Sequence, residues 1–537
     1  MKNKKQSFMT GVMTLIGSQI IVKLVGIIYK VYLTNREGFG DTGNAIYNGG
    51  YQIYSLLLLI SSIGIPNAIS KLVSERISVN DYKGANRVFK IALAILGLIG
   101  TIGTLILFFG ADFIASKFLD IPESAITLKI LSPSILLVAI SSVIRGYFNG
   151  RSEMTATARS QAFEQILKTI FTVVVVEIAA HLTSNDVVSM AAGATAATTL
   201  SVTGSFIYIC QFYFNKRKMF KQELKQTENY KEEGIKTIIK KILVISIPAS
   251  LTSIVTSINK IIDSVTVVRG LKKITSEENA KTLYGILSGK VDTLTALPLA
   301  FTIAFATALV PGISTVKAKG DKEAIIKRIK SSYLLTILIG LPCAFGLIVF
   351  AEPILNLVFP NASNGATILQ ASALVIVFTT AAQTLSGSLQ GLGNYRTSVI
   401  GLVAGVIVKT ILNILIIPIE GIGIYGVAFS SIVCHFISFT IEMVTLKKMT
   451  KIKFKFTKFY GKPLLATIIM SVLSYGSYLL LNMFIPGRVA TVIAILLAVV
   501  IYAIAVIALN ILSEDEIKDL PKGDKIYNIL AKIGVYK

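Results

Sequence analysis

Long apolar runs alternate along the chain with short stretches of polar and charged residues. The runs are ~20 residues or more, the length a helix needs to cross the hydrocarbon of a membrane. A transmembrane barrel would show alternating segments of ~10 residues instead. About fourteen runs are legible, at 8–34, 48–70, 88–117, 126–148, 160–181, 186–214, 239–268, 284–315, 331–357, 365–391, 397–418, 424–446, 462–485 and 488–512. The pattern predicts an all-α integral membrane protein with about fourteen transmembrane helices.

The connections carry their own pattern. Every second one is rich in Lys and Arg: KLVSERISVNDYKGANRVFK (71–90), NKRKMFKQELKQTENYKEEGIKTIIKK (215–241), KAKGDKEAIIKRIK (317–330) and KKMTKIKFKFTKFYGK (447–462). The alternate connections LTSND (182–186), PNASN (360–364) and IEGIG (419–423) are short and poor in cations. RGLKKITSEENAK (269–281) offsets its cations with Glu277 and Glu278. Cation-rich loops stay on the cytoplasmic side. Both termini are therefore expected in the cytoplasm, on a multi-pass protein of the cell membrane. The opening MKNKK is like the start of a signal peptide, but the apolar run behind it is too long and lacks a cleavage site, so it reads as a retained first helix. In the tail, Ile526, Ile529, Leu530 and Ile533 share one helical face, with Lys525 and Lys532 nearby, which predicts a segment lying on the membrane surface.

Two stretches repeat. RGYFNGRSEMTATARSQAFEQILK (145–168) is similar to SGSLQGLGNYRTSVIGLVAGVIVK (386–409), aligning Gly146 with Gly387, Gly150 with Gly391 and Lys168 with Lys409. IGIPNAISK (63–71) is similar to ALVPGISTV (308–316), aligning Pro66 with Pro311 and Ser70 with Thr315 at nearly the same offset. Spans 1–6 and 7–12 thus read as two copies of one six-helix bundle. Each copy has an even number of spans, so both cross the membrane in the same sense, and a substrate path is expected between the two lobes. The expected parts are an N-lobe over 1–225, a C-lobe over 226–450, and a final helix pair with its tail over 451–537.

Composition narrows the function. Hydrophobic residues make up 53% of the chain and charged ones 15%, which excludes a soluble domain of this size. The net charge of +24 sits mostly in the loops, where it meets lipid headgroups; nucleic acid is excluded as a partner. Cys210, Cys343 and Cys434 are isolated in apolar runs and His181 and His435 are the only histidines, so no metal site, and no cofactor, is expected. GIGIYG (421–426) matches a dinucleotide fingerprint but joins two spans with no strand before it. GILSGKV (285–291) is one residue short of a phosphate loop and ends in Val291 where Ser or Thr is needed. No enzyme motif is evident, and energy must come from a gradient or the membrane potential.

Charges inside spans cost ~3 kcal/mol each on insertion scales, and they face cavities or partners. Lys23 is near mid-span, and Lys30 is closer to an end, where it can snorkel. Lys260 and Asp263 share a helical face. Lys290 and Asp292 point to different sides of their helix, so Lys290 faces something other than Asp292. Glu164 and Lys168 are spaced for an ion pair, and Lys409 has Asn413 one turn on. Lys23, Lys260, Lys290 and Lys409 outnumber Asp263 and Asp292. That surplus of ammonium groups suits an anionic ligand such as phosphate.

Several of these elements resemble the MOP superfamily of flippases, within it the polysaccharide-export and MurJ/SpoVB-like branch of Gram-positive bacteria. They are KLVG in span 1, LPLAFTIAFATALVPGIS in span 8, and RGYFNG and GSLQGLGNYR closing spans 4 and 10. The resemblance covers essentially the whole chain. It implies fourteen helices in two lobes forming a V, and transfer of an undecaprenyl-diphosphate-linked glycan, lipid II foremost, to the outer leaflet. In that branch a basic residue precedes the first-helix Gly element, and Lys23 matches it. An Asp-Arg pair precedes a Leu-Pro element in the eighth helix; Asp292 matches the Asp, Thr293 departs from the Arg, and Lys290 stands nearby as a replacement cation. Some members bind sodium between helices 7, 11 and 12, where Lys409 puts a fixed ammonium here. Spans 13 and 14 would flank the lipid tail. The charges inside the spans, taken together with the resemblance, give Lys23, Lys30, Lys260, Lys290 and Asp292 to the substrate, and Asp263, Lys409 and Asn413 to coupling or gating. The alternatives are a flippase for another lipid-linked oligosaccharide, a MATE-type cation-coupled drug exporter, and a scaffold for sporulation or cell-wall synthesis.

Overall fold

A computed structural model describes residues 22, 25–59, 64–227, 230, 232–318, 320–518 and 527. Among these there is no strand. The helices are α1 (25–35), α2 (Gly40–Leu59), α3 (Ile65–Ile77), α4 (Tyr82–Phe113), α5 (Ser124–Gly150), α6 (Met154–Leu182), α7 (Val187–Lys225), α8 (Ile235–Leu271) and α9 (Glu277–Gly285). After the π-helical turn Ile286–Val291 come α10 (Asp292–Ala318), α11 (Lys322–Val349), α12 (Ala351–Val358), α13 (Ala366–Ala373), α14 (Val375–Gly391), α15 (Tyr395–Ile416), α16 (Tyr425–Thr450), α17 (Lys462–Leu481), α18 (Gly487–Ala508) and α19 (Glu514–Lys518). Ten helices among the described residues are long and apolar enough to cross a membrane. The chain is a multi-pass helical membrane protein. The tail residues expected on the membrane surface, Ile526, Ile529, Leu530 and Ile533, lie outside the described residues.

Two compact units divide the chain: one is Met1–Lys290 with Pro418–Gly421, the other Val291–Ile417 with Ile422–Lys537. In the first, Ile69, Val73, Val88, Val143, Phe148 and Ile209 form an apolar core that the opening turns of α8 join through Ile238 and Ile242. Thr227, Glu232 and Glu233, ahead of α8, are fastened there. The Lys83 amide donates to Thr227 Oγ1 at 3.2 Å. Glu233 lies 2.9 Å from Arg76, and Glu232 pairs with Arg87. In the second unit, Ile313, Ile329, Tyr333, Leu385 and Leu389 form the core with Leu446, Phe459 and Ala466.

Close helix contacts carry the repeat. A Cβ on Gly146 would stand 2.9 Å from the Pro66 carbonyl oxygen, and one on Gly387 would stand 2.8 Å from that of Ala306. A Cβ on Gly150 would meet Val73 Cβ at 2.8 Å, and one on Gly391 would meet Ile313 Cβ at 2.8 Å. Only glycine allows these crossings. Asp81 caps α4 by accepting from the Gly84 amide, and Asp321 caps α11 by accepting from the Ala324 amide. Positions 66, 73 and 81 thus correspond to 306, 313 and 321. This corrects one alignment: Pro66 corresponds to Ala306, not Pro311, and Ser70 to Val310, not Thr315. The reason is local. Pro66 sits in the first turn of α3, where no amide is needed, whereas position 311 lies inside α10.

Candidate functional site

The first unit holds a full charge pair in its interior. Lys290 Nζ donates to Asp41 Oδ2 at 3.0 Å and lies 2.9 Å from Oδ1. The Lys290 side chain is 0% exposed and that of Asp41 7%. Burying such a pair is expensive unless geometry and neighbours compensate. Here the backbone arranges it. Asp41 sits in the first turn of α2, where a carboxylate suits the positive end of the helix. Lys290 sits on the π-helical turn, an insertion that re-aims side chains. Gly285 and Gly289 let that turn press against α2: a Cβ on Gly285 would collide with the Asp41 carbonyl oxygen, and one on Gly289 with the Asn44 side chain.

Polar groups continue around the pair. Asn44 Nδ2 donates to Thr34 Oγ1 at 2.9 Å, and Thr34 Oγ1 donates to the Lys30 carbonyl at 2.9 Å. Asn48 Nδ2 approaches Ser288 Oγ at 3.4 Å. Positions 48 and 288 are counterparts in the repeat register, so α2 and the π turn cross at equivalent points. Nearby, outside the apolar spans, Lys281 bonds Glu123 at 2.7 Å and Glu277 at 2.9 Å, while Lys272 reaches Asp120 at 3.2 Å and Glu277 at 3.0 Å.

Lys281 and then Lys272 hold the Glu277 carboxyl at about 2. The group is depressed, so its stabilisation is present above its ordinary value of 4.5 and lost as pH falls through about 2. The side chain is 48% exposed, which limits the contribution to under ~1 kcal/mol. Thermal unfolding should therefore show Glu277→Gln slightly less stable than the parent at pH 6, with the difference gone near pH 2. An equal difference at both values would mean that the carboxylate charge plays no part.

The other expected site residues are spread over both units. Lys23 lies outside the described residues. Lys30 is half-buried on α1. Lys260 is exposed on α8, with Asp263 half-buried one turn on. Asp292 is half-buried at the start of α10, and Lys290 meets Asp41 rather than Asp292. In the second unit Lys409 is 1% exposed and Asn413 0%. Asn413 Oδ1 accepts from Ser430 Oγ. Among the described residues no group of His, Cys, Asp and Glu is placed to hold a metal ion.

One expected pair is replaced. Glu164 does not bond Lys168. It accepts from Arg145 Nη2 at 3.0 Å, with Ser160 and Ser205 on the same guanidinium. Lys168 Nζ lies instead over the rings of Tyr29 and Tyr51, at 4.8 and 4.5 Å. A planar guanidinium fits several acceptors at once, and ring faces hold the displaced ammonium. Asp41 was not among the expected residues because the span was read from 48 onward; its one signal was an acid beside the glycines of GFGDTGN.

The profile of the family described as "Polysaccharide biosynthesis protein" matches residues 8–317, and that of "MatE" matches residues 289–415. Stage V sporulation protein B of Bacillus subtilis (strain 168) is 24% identical over 527 residues, covering 96% of this chain and 98% of that protein. Lipid II flippase MurJ of the same organism is 24% identical over 412 residues, covering 74% and 75%. Among solved structures, "Lipid II flippase MurJ, inward closed conformation" has the same fold, with a TM-score of 0.68 at 18% identity, over 91% of this chain and 96% of that one.

Proposed function

We propose a transport function for this chain, which belongs to the polysaccharide biosynthesis protein family, within the MOP superfamily of flippases. It moves a polyprenyl-diphosphate-linked cell-wall precursor from the inner to the outer leaflet, lipid II being the first candidate. It makes and breaks no covalent bond. The relatives that span most of the chain include one named for lipid II and one for sporulation, which supports a cell-wall glycan in growth or in spore formation.

The single observation that carries the reading is the buried Asp41–Lys290 pair. An ionisable pair inside an apolar bundle marks a pathway rather than a stabilising feature. In this reading the lysine exchanges its carboxylate for the substrate diphosphate, which Lys binds well as a point charge. Lys23, Lys30, Lys260 and Asp292 supply the remaining polar contacts, and Asp263, Lys409 and Asn413 act in coupling or gating. The lobes are 1–225 and 226–450, and 451–537 adds the helix pair and tail. Both termini lie in the cytoplasm, as the cation-rich loops require. The MatE match over 289–415 favours a second reading, export of a cationic drug.

The test is rescue. A bacterium whose own lipid II flippase is switched off should regain externally accessible lipid II when it expresses this chain. Folded protein in the membrane with lipid II still facing inward would remove lipid II. Resistance to cationic dyes in the same cells would then favour drug export.

A further inference from the structure

The seam between α15 and α16 carries polar side chains at both ends and along its length, set among glycines and small apolar residues, while the outer faces of both helices are apolar. Ile400, Ile407, Ile411, Phe429 and Phe436 point outward and are 60, 56, 52, 52 and 49% exposed. On the seam, Gly405 admits the Cys434 backbone, and Gly401 faces Ser438, whose Oγ would lie 3.2 Å from an added Cβ. One end carries Asn413 and Ser430, bonded to each other. Lys409 follows, with His435 in its field. At the other end stands Glu442, facing Ser398. From 398 to 413 the helix rises roughly 22 Å, most of a hydrocarbon core.

Glu442 is the unusual member. It is 2% exposed, and its Oε2 has no hydrogen-bond partner among the described residues. Among the described residues no cation pairs with it from the elements packed against α16. α13 and α14 contain no titratable side chain. α15 contributes Tyr395 and Arg396, both exposed at its start, and Lys409 beside His435. α16 itself carries Tyr425, Cys434 and His435 on preceding turns and Lys447 and Lys448 in its last turn. The apolar cluster holding Met443 and Leu446 brings Tyr333 and Tyr460, whose hydroxyls bond each other at 2.6 Å, and beyond them Lys458 is taken by Glu516 at 2.9 Å. The matching seam between α6 and α7 is built differently: its carboxylate, Glu164, is closed by Arg145. An isolated carboxylate charge is costly in such surroundings, and acid, histidine and hydroxyl chains inside membrane bundles are how protons are relayed.

We propose that Glu442 binds and releases a proton in each transport cycle, through the seam of Ser398, Ser438, His435, Lys409, Asn413 and Ser430. The role in a cycle rests on the transport reading above, and the proton site itself does not. The proton leaves Glu442 as the bare ion, accepted by water at the seam's end, and no other bond changes. The driving ion is then the proton.

Infrared difference spectra of the full chain in phosphatidylglycerol vesicles test the site without any substrate. The parent should show a protonated-carboxyl band that is absent in Glu442→Gln, present in Glu442→Asp, shifted in heavy water, and lost reversibly as pH rises. No such band at any pH, or a band unchanged across the whole range, overturns the proposal. Lipid II in the same vesicles tests the coupling. An imposed pH gradient should raise the parent's transfer rate several-fold, and leave that of Glu442→Gln unchanged. An equal response from both also overturns it. Should the parent move no lipid II under either condition, the transport reading fails, and the infrared result still decides whether Glu442 carries an exchangeable proton.

Discussion

Lys290→Ala is expected to abolish transport and to destabilise the protein by about 3–5 kcal/mol, the cost of leaving one member of a buried pair unpaired. That is a large share of a net stability of about 5–15 kcal/mol, so loss of transport in this variant alone is ambiguous. The pair must be neutralised as a pair. Asp41→Asn with Lys290→Met removes both charges, keeps the volumes close, and should recover most of the lost stability. It should not recover transport, because a thioether cannot replace an ammonium toward a diphosphate. The checks are melting in detergent for the first claim and externally accessible lipid II for the second. Wild-type transport from the neutral pair would reduce Asp41 and Lys290 to architecture and remove the carrying observation of the proposed function.

The second large effect concerns glycine, and its sign depends on what each glycine faces. Gly285→Ala places a methyl group on the Asp41 carbonyl oxygen, and backbone cannot rotate away. Overpacking of this kind costs about 1–3 kcal/mol and more where the neighbour is rigid. Gly97→Ala, in the middle of α4, meets nothing within 4 Å. There alanine should stabilise by about 0.5–1 kcal/mol, since glycine gives up more freedom in a helix. Thermal melts of the two variants should therefore move in opposite directions from the parent. A shift of the same sign and size in both would show that α2 and the end of α9 are not in close contact.

Class and repeat were legible because both are written in side-chain chemistry. Apolar runs of membrane length have one physical solution when they do not alternate, and Gly146, Gly150, Gly387 and Gly391 recur because two helix crossings need them. Breaks inside the apolar runs were not legible. The stretch read as one span over 284–315 is α9, a π turn and α10, and no hydropathy pattern marks a π turn. The same blindness explains the prolines: Pro66 and Pro311 look alike in sequence and differ in their place along a helix. Charges were found by depth in a run, which located Lys290 and Lys409 but could not name their partners. Asp41 is the partner of Lys290 and sits before the run as it was read. Glu442 lies inside the run at 424–446 and is not among the expected residues, because nothing in the local sequence marks its side chain as buried. Lys23, the deepest cation of the first run, lies outside the described residues.

The Asp41–Lys290 pair also bears on how the protein is made. Its members are far apart in the chain, so Asp41 reaches the membrane long before Lys290 is synthesised. The insertion machinery must admit Lys290 as a lone ammonium within an apolar segment, at a toll of ~3 kcal/mol that the apolar residues around it have to outweigh. Only once that segment docks on α2 do the two charges meet. That docking is therefore a neutralisation inside the bilayer, and a nascent chain stalled before it would present a quality-control protease with an unsatisfied charge in lipid.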